Sequence, residues 1–303
     1  MLLQALLLLS VSGQASSRAE TIARAQPRVV AQFAALKAEI GRIKDQARRR
    51  ELLALVDGPV LRVLERRAAE ADIATQLKAA GLLDPAARTL FPSSSIPFIA
   101  APGGAWRGHH SYPGGLVDHT LFNARSGLGL ARAYRKTYRI AVDDDAVLAA
   151  AVMHDAAKTA TLPWNDDGTL PAAEPQVAGT GLHHILGLAE ALLRGWPPRL
   201  VVCVASAHSP PKPGPDLDKL LGYLRAAAII AGKPNAAAGL SDDGKALAER
   251  APIEAFITHL DDHDWVLTET TIQAADARLT AKEPWARDEE LSRSGDVPLY
   301  LLP

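Results

Sequence analysis

This chain has almost no sulfur chemistry to offer. It contains one cysteine, Cys203, in 303 residues. A disulfide within the chain is therefore excluded, and so is a zinc–thiolate cluster. Cys203 lies in the apolar run RLVVCVASAH and reads as a small buried hydrophobe. Aromatic residues make up only 5%, too few for an extended base-stacking platform. Net charge is also missing: 33 Lys and Arg stand against 34 Asp and Glu, a formal −1. No global positive field attracts nucleic acid. There is no convincing strand alternation, no internal repeat and no glycine-rich phosphate loop following a strand.

Hydrophobic residues at 48% and charged residues at 22% are an ordinary globular balance, with length enough for a large core. The first fifteen residues, MLLQALLLLSVSGQA, are apolar and then small. Gly13 and Ala15 stand where the −3 and −1 positions of a signal-peptidase site would be, yet no Lys or Arg precedes the run. Residues 1–15 are expected to be either an export signal or an N-terminal amphipathic or anchoring helix, since the apolar stretch is short for a membrane span. The first alternative places the protein in the periplasm or outside the cell, the second in the cytoplasm or at a membrane.

Beyond that point the periodicity is helical nearly throughout, and the fold class is all-α. Residues 19–56 read as one long charged helix with Val30, Phe33, Leu36, Ile40 and Ile43 on one stripe, Pro27 marking its true start or a kink. Pro59 opens a helix to about Ala69, and another runs over about Ile73–Ala80, ended by Gly81. Residues 84–104 are rich in Pro, Ser and Gly and read as a connecting loop. Further helices are expected at Gly115–Tyr138, at Ala146–Ala157 with its cap in Asp143–Asp145, and at about Gly181–Arg194, Pro198–Ala207, Leu217–Ala231 and Pro252–Thr270. The organisation is 16–104 as an N-terminal helical region, 105–275 as a metal-binding helical bundle and 276–303 as an irregular surface tail.

Within the bundle, imidazoles and carboxylates recur on successive apolar helices. His119 sits in GGLVDHT, His154 and Asp155 end AVLAAAVMHD, His184 lies in GTGLHHILG, His208 in ASAHSPP and Asp262 in ITHLDDHDW. Each alone would more often be a satisfied core group than a ligand. Their order is more specific, because one such residue per helix is how a bundle builds a metal site. His183 and His184 are adjacent and do not easily face one ion together. Lys158 is three residues beyond Asp155, placed to meet either a substrate phosphate or Asp155 itself. The set His119, His154, Asp155, His184, His208 and Asp262 could hold two divalent transition ions (Mn, Fe, Ni, Co or Zn) with Asp155 as the bridge.

These segments resemble the HD-domain superfamily of metal-dependent phosphohydrolases over about residues 108–270. HHSYPGGLVDHT followed by VLAAAVMHDAAKT is similar to the bacterial HD-domain 3′-to-5′ exoribonucleases and their hydrolase relatives. The resemblance implies an HD-domain helical bundle with an N-terminal extension. It makes His119 the first ligand, His154 and Asp155 the doublet, His184 and His208 the histidines of the two-metal subgroup, and Asp262 the last aspartate with Asp261 the near alternative. In relatives that carry this acid on a RAAD-like helix, the corresponding position here is Ala228. Lys158 matches a phosphate-contacting lysine, and His109 and His110 match a pair lining the pocket. The implied activity is hydrolysis of a phosphate monoester or phosphodiester, nucleotide-like, by a metal-activated water, with His110 protonating the leaving oxygen. A small-molecule phosphate ester is the expected partner, since no β-barrel for processive RNA binding precedes these segments. Two other readings share the pattern: an HD-fold di-iron oxygenase and a non-enzymatic ligand-binding module.

Overall fold

The computed structural model describes residues 2–84, 90–279 and 282–301, with side chains from Gln14 onward. The fold is all-α. Its helices are α1 (Leu2–Ala25), α2 (Pro27–Ile40), α3 (Gln46–Asp57), α4 (Glu70–Ala79), α5 (Gly115–Tyr138), α6 (Asp144–Met153), α7 (Lys158–Thr161), α8 (Leu182–Leu193), α9 (Pro198–Ala205), α10 (Pro215–Ala231), α11 (Ile253–Asp261), α12 (Trp265–Leu279), α13 (Pro284–Ser294) and α14 (Asp296–Tyr300). Among the described residues no helix is long and apolar enough to cross a membrane.

The long charged helix expected over 19–56 is divided into three. Pro27 lacks the N–H that would continue α1 and instead takes the first position of α2. The chain breaks again after Ile40, and Asp45 caps α3 by accepting from the N–H groups of Ala47 and Arg48 (2.9 and 3.1 Å). The break rotates the stripe. Val29, Leu36, Ile40 and Ile43 are buried, whereas Val30 is 45% exposed. Ala15, Ala19 and Ala23 share one face of α1 and are also buried, and α1 packs on the turn Phe98–Ala100. Residues 62–69 form a 3₁₀ helix in place of the α-helix expected after Pro59. Of the connecting loop expected over 84–104, positions 85–89 lie outside the described residues.

The bundle is centred on α6. Asp143 caps it, and every residue from Val147 to Met153 is buried, as a helix without a polar face requires. Helices α5, α9 and α11 pack around it, and α10 lies on α8. Each buried leucine or isoleucine of α8, such as Ile185, Leu186 and Leu188, contributes roughly 1.5–3 kcal/mol by leaving water. Helix α6 stops earlier than expected. It ends at Met153, and residues 154–157 turn before α7 begins at Lys158. A small antiparallel hairpin, β1 (Gln176–Val177) and β2 (Thr180–Gly181), interrupts the loop before α8. Its two-residue turn, Ala178 and Gly179, has both φ angles positive (55° and 82°), the twist that suits tight hairpins.

The last segment is not an irregular surface tail. Leu279, Leu291 and Leu299 enclose Tyr112, Ile272 and Ala275 in a second small core. Ser292 donates to the Pro113 carbonyl (2.6 Å) and Arg287 to the Ser111 carbonyl (2.9 Å). These bonds tie residues 284–301 to the loop that carries His109 and His110. Arg287 of α13 is buried, with Asp276 and Asp288 each accepting from it at 2.6 Å.

Candidate metal centre

Five helices and the turns that follow them bring their polar groups to a single buried point. His119 rides on α5, about one turn inside its N-terminus. His154 closes α6, its N–H bonded to the Ala150 carbonyl (3.0 Å). Asp155 follows in the turn. His183 stands in the first turn of α8, His208 just beyond α9, and Asp262 just beyond α11 in a 3₁₀ turn (Asp262–Asp264). All but His208 are buried, and that side chain is 23% exposed.

The histidines are oriented by a common device. His154 Nδ1 faces the Ala151 carbonyl (3.1 Å). Glu174 accepts from His183 Nδ1 (2.8 Å), and Thr180 Oγ1 lies 2.9 Å from His208 Nδ1. Asp264 Oδ1 lies 3.2 Å from His119 Nδ1. The Nδ1 atoms of His154, His183 and His208 are thus held from behind by hydrogen bonds, while His119 Nδ1 has only the nearby Asp264 carboxylate, and all four Nε2 atoms are directed inward. His119 Nε2 lies 3.0 Å from Asp155 Oδ2 and 3.1 Å from Asp262 Oδ1. His154 Nε2 is 3.2 Å from Asp262 Oδ1, and His183 Nε2 is 3.2 Å from Asp155 Oδ1. His208 Nε2 is 3.8 Å from Asp262 Oδ2.

These spacings suit ligands of shared ions. Two donors about 2.1 Å from one ion, at right or tetrahedral angles, stand about 3.0–3.4 Å apart. His154 Nε2, His183 Nε2 and both Asp155 oxygens are buried and lack a hydrogen bond of proper geometry. Leaving such groups unpaired costs free energy, and a cation satisfies them together. The donors divide into His119, His154 and Asp262 on one side and Asp155, His183 and His208 on the other. Asp155 spans the two, Oδ2 toward the first group and Oδ1 toward the second.

The electrostatics favour positive charge. Burial opposes ionisation of Asp155, but Lys158, His154 and the close His119 and His183 imidazoles hold its carboxyl well below the usual range. Asp262 is held down in the same way by His154 and His119. Burial pushes His208 down to about 3, keeping it neutral and able to donate a lone pair. His183 behaves differently. Burial lowers it, yet the Glu174 and Asp155 carboxylates raise it to about 9, so without a metal a proton stands between the two acids. Lys158, buried, pairs with Asp155 at 2.5 Å and donates to the Gly103 carbonyl.

His184, the ligand implied by the resemblance, is turned elsewhere. Its Nε2 faces the Ala205 carbonyl (3.2 Å), and its ring stacks on His208 with centroids 4.0 Å apart. Its neighbour His183 occupies the inner position, because Glu174 binds both the His183 N–H (2.9 Å) and its ring. Asp261, the near alternative to Asp262, faces Gly127 of α5 and is pushed well above the usual carboxyl range by burial and by Asp262. Ala228 is a buried alanine on α10, and the final carboxylate comes from the turn after α11. His110, with φ at +51°, and His109 meet the cluster at His119, with which they form a further group close enough to share an ion; His110 Nε2 is 3.8 Å from Asp264 Oδ2, and the His109 and His110 rings lie 4.9 and 5.4 Å from that of His119.

Two participants escaped the sequence reading, Glu174 and Asn123, whose Nδ2 donates to Asp262 Oδ1 (3.2 Å), while His183 was weighed there and passed over for His184. For Asn123 a signal existed, since it follows His119 by four residues on one helix face. Glu174 comes from a loop and carried none.

The molecule is therefore a helical protein with a buried histidine–carboxylate cluster whose groups could hold a metal ion. It is similar to the dihydroneopterin 2′,3′-cyclic phosphate phosphodiesterase of Methanocaldococcus jannaschii, at 32% identity over 109 residues. That match covers 35% of this chain, and the chain spans 42% of the relative's length. No protein-family profile matches the chain, and no solved structure matches it.

Proposed function

We propose that this protein is an HD-type metal-dependent phosphohydrolase that cleaves a phosphodiester of a small nucleotide-like alcohol. The observation that carries the reading is the convergence of four Nε2 atoms on Asp155 and Asp262, three of the imidazoles held from behind through Nδ1. The cyclic phosphodiesterase activity in the relative's name supports the reaction class. His119, His154 and Asp262 would hold one divalent ion, Asp155, His183 and His208 the other, with Asp155 shared. When bound, such ions acidify water and polarise phosphoryl oxygens.

The chain's own groups do the remaining work. Asn123 and Glu174 fix the orientation of Asp262 and His183. Lys158 neutralises Asp155 and keeps a positive charge beside the phosphate position. His110 provides a proton for the departing oxygen. The test is Asp155→Ala, assayed with Mn²⁺ on cyclic and linear phosphodiesters alongside circular dichroism. Hydrolysis should fall by at least about a thousandfold with helicity retained. Retained hydrolysis rejects the assignment. Oxygen uptake by the iron-loaded protein without phosphate-ester cleavage would favour the oxygenase reading instead.

A further inference from the structure

A cleft of about 850 Å³ opens beside the metal centre. Its inner wall includes His110 and Asp264; Asp264 Oδ1 lies 3.2 Å from His119 Nδ1, and His110 Nε2 lies 3.8 Å from Asp264 Oδ2. Its outer walls come from separate elements: Arg28 and Gln32 on α2, Phe122 and Arg125 on α5, Leu267 on α12, and residues 294–298 at the start of α14. The N-terminal and C-terminal helices thus close a space that the bundle alone would leave open.

The chemistry of the walls is mixed in a particular way. Phe122 and Leu267 are about half exposed (50% and 51%), large apolar side chains left in water at the mouth. Arg125, 55% exposed, is held at 3.1 Å by Glu39 next to Phe122. Arg28 is fixed on Asp118 at 2.6 Å, and Asp118 also accepts from the Tyr112 hydroxyl. Gln32 adds an amide to the wall, whereas the Ser126 and Thr268 hydroxyls donate to the Phe122 and Asp264 carbonyls. Apolar faces with polar edges, and an aromatic ring beside a guanidinium, are what a flat heteroaromatic group requires. The position is also right. Phe122 lies three residues after His119 on one helix, about 4.5 Å further along its axis.

We infer that this cleft binds the heteroaromatic portion of the substrate, with Phe122 stacking on the ring and Arg125 beside it, and so selects nucleoside-like or pterin-like esters over simple ones. The inference rests on the hydrolase reading and adds the determinant of its selectivity. Phe122 is exposed, so its replacement leaves the core intact.

Two measurements on the full chain test it. The first compares kcat/KM of the Mn²⁺-loaded protein on adenosine 2′,3′-cyclic phosphate and on ethylene glycol cyclic phosphate, which shares the reacting ring but has no base. The second is calorimetric titration with adenosine 3′-monophosphate and with neopterin, which needs no turnover. In Phe122→Ser the preference for the nucleoside compound should fall at least tenfold, through KM, and the tighter of the two titrated ligands should weaken by a similar factor. Phe122→Trp should restore both. A wild-type protein without preference, or a preference and affinity unchanged in Phe122→Ser, overturns the inference while leaving the hydrolase reading standing. Binding that depends on Phe122 without hydrolysis of either ester rejects the hydrolase reading and supports the cleft.

Discussion

Adding a divalent transition ion to chelator-stripped protein should raise its melting temperature by an amount that can be worked out. The stripped centre buries Asp155, Asp262 and their histidines with several atoms lacking hydrogen-bond partners. An ion that binds the folded chain and not the unfolded one, at a hundred times its dissociation constant, adds ~2.7 kcal/mol. With 303 residues, the unfolding entropy near the midpoint is ~0.64 kcal/mol/K at ~2.1 cal/mol/K per residue. One ion therefore shifts the midpoint by about 4 °C and two independent ions by about 8 °C. Asp155→Asn, which removes the carboxylate shared by both groups of donors, should keep less than half of that shift. Scanning fluorimetry with EDTA, then with Mn²⁺, Fe²⁺ under argon and Zn²⁺, reads the effect. A midpoint indifferent to chelation and to every ion, or an Asp155→Asn variant shifting as far as the parent, would refute the reasoning.

Three further outcomes follow from particular contacts. Glu174→Gln keeps the shape of the His183 partner but removes its charge, so affinity for one ion should fall about 10–100-fold in a chelator competition, and unchanged affinity would contradict the orienting role. Asp288 is pushed up to about 8 by burial and by Asp276, outweighing Arg287. A carboxyl raised in the folded state contributes stability below its unfolded value, and that stability is lost as pH rises from about 4 to about 8. Asp288→Asn should flatten this decline in urea titrations across that window, and an unaltered profile would reject the assignment. Leu186→Ala, on the fully buried face of α8, should cost about 2–5 kcal/mol in chemical denaturation, whereas a loss below 1 kcal/mol would mean that α8 is not packed as described.

Much of this arrangement was legible in the chain because the helices carry strong local signals. Helix α5 spans Gly115–Tyr138 as its periodicity indicates, and Asp143 starts α6 as a cap should. The positions of His119, His154, Asp155, His208 and Asp262 around one point follow from one polar group per apolar helix. The choice between His183 and His184 was not legible. Adjacent residues on a helix point about 100° apart, and which of them faces inward is decided by Glu174, a loop residue that no period places. The division of residues 19–56 was half visible in Pro27, but the second break at Gly41–Lys44 lacks a comparable breaker. The C-terminal helices were missed because a buried arginine with two carboxylates has the composition of a solvated surface.

The most direct test of the central claim is the ion content of the purified chain and of two single variants, by plasma mass spectrometry after exhaustive dialysis. About two divalent ions per chain are expected in the parent and in His184→Ala, falling to about one in His183→Ala. A parent without bound metal, or a loss confined to His184→Ala, would contradict the account.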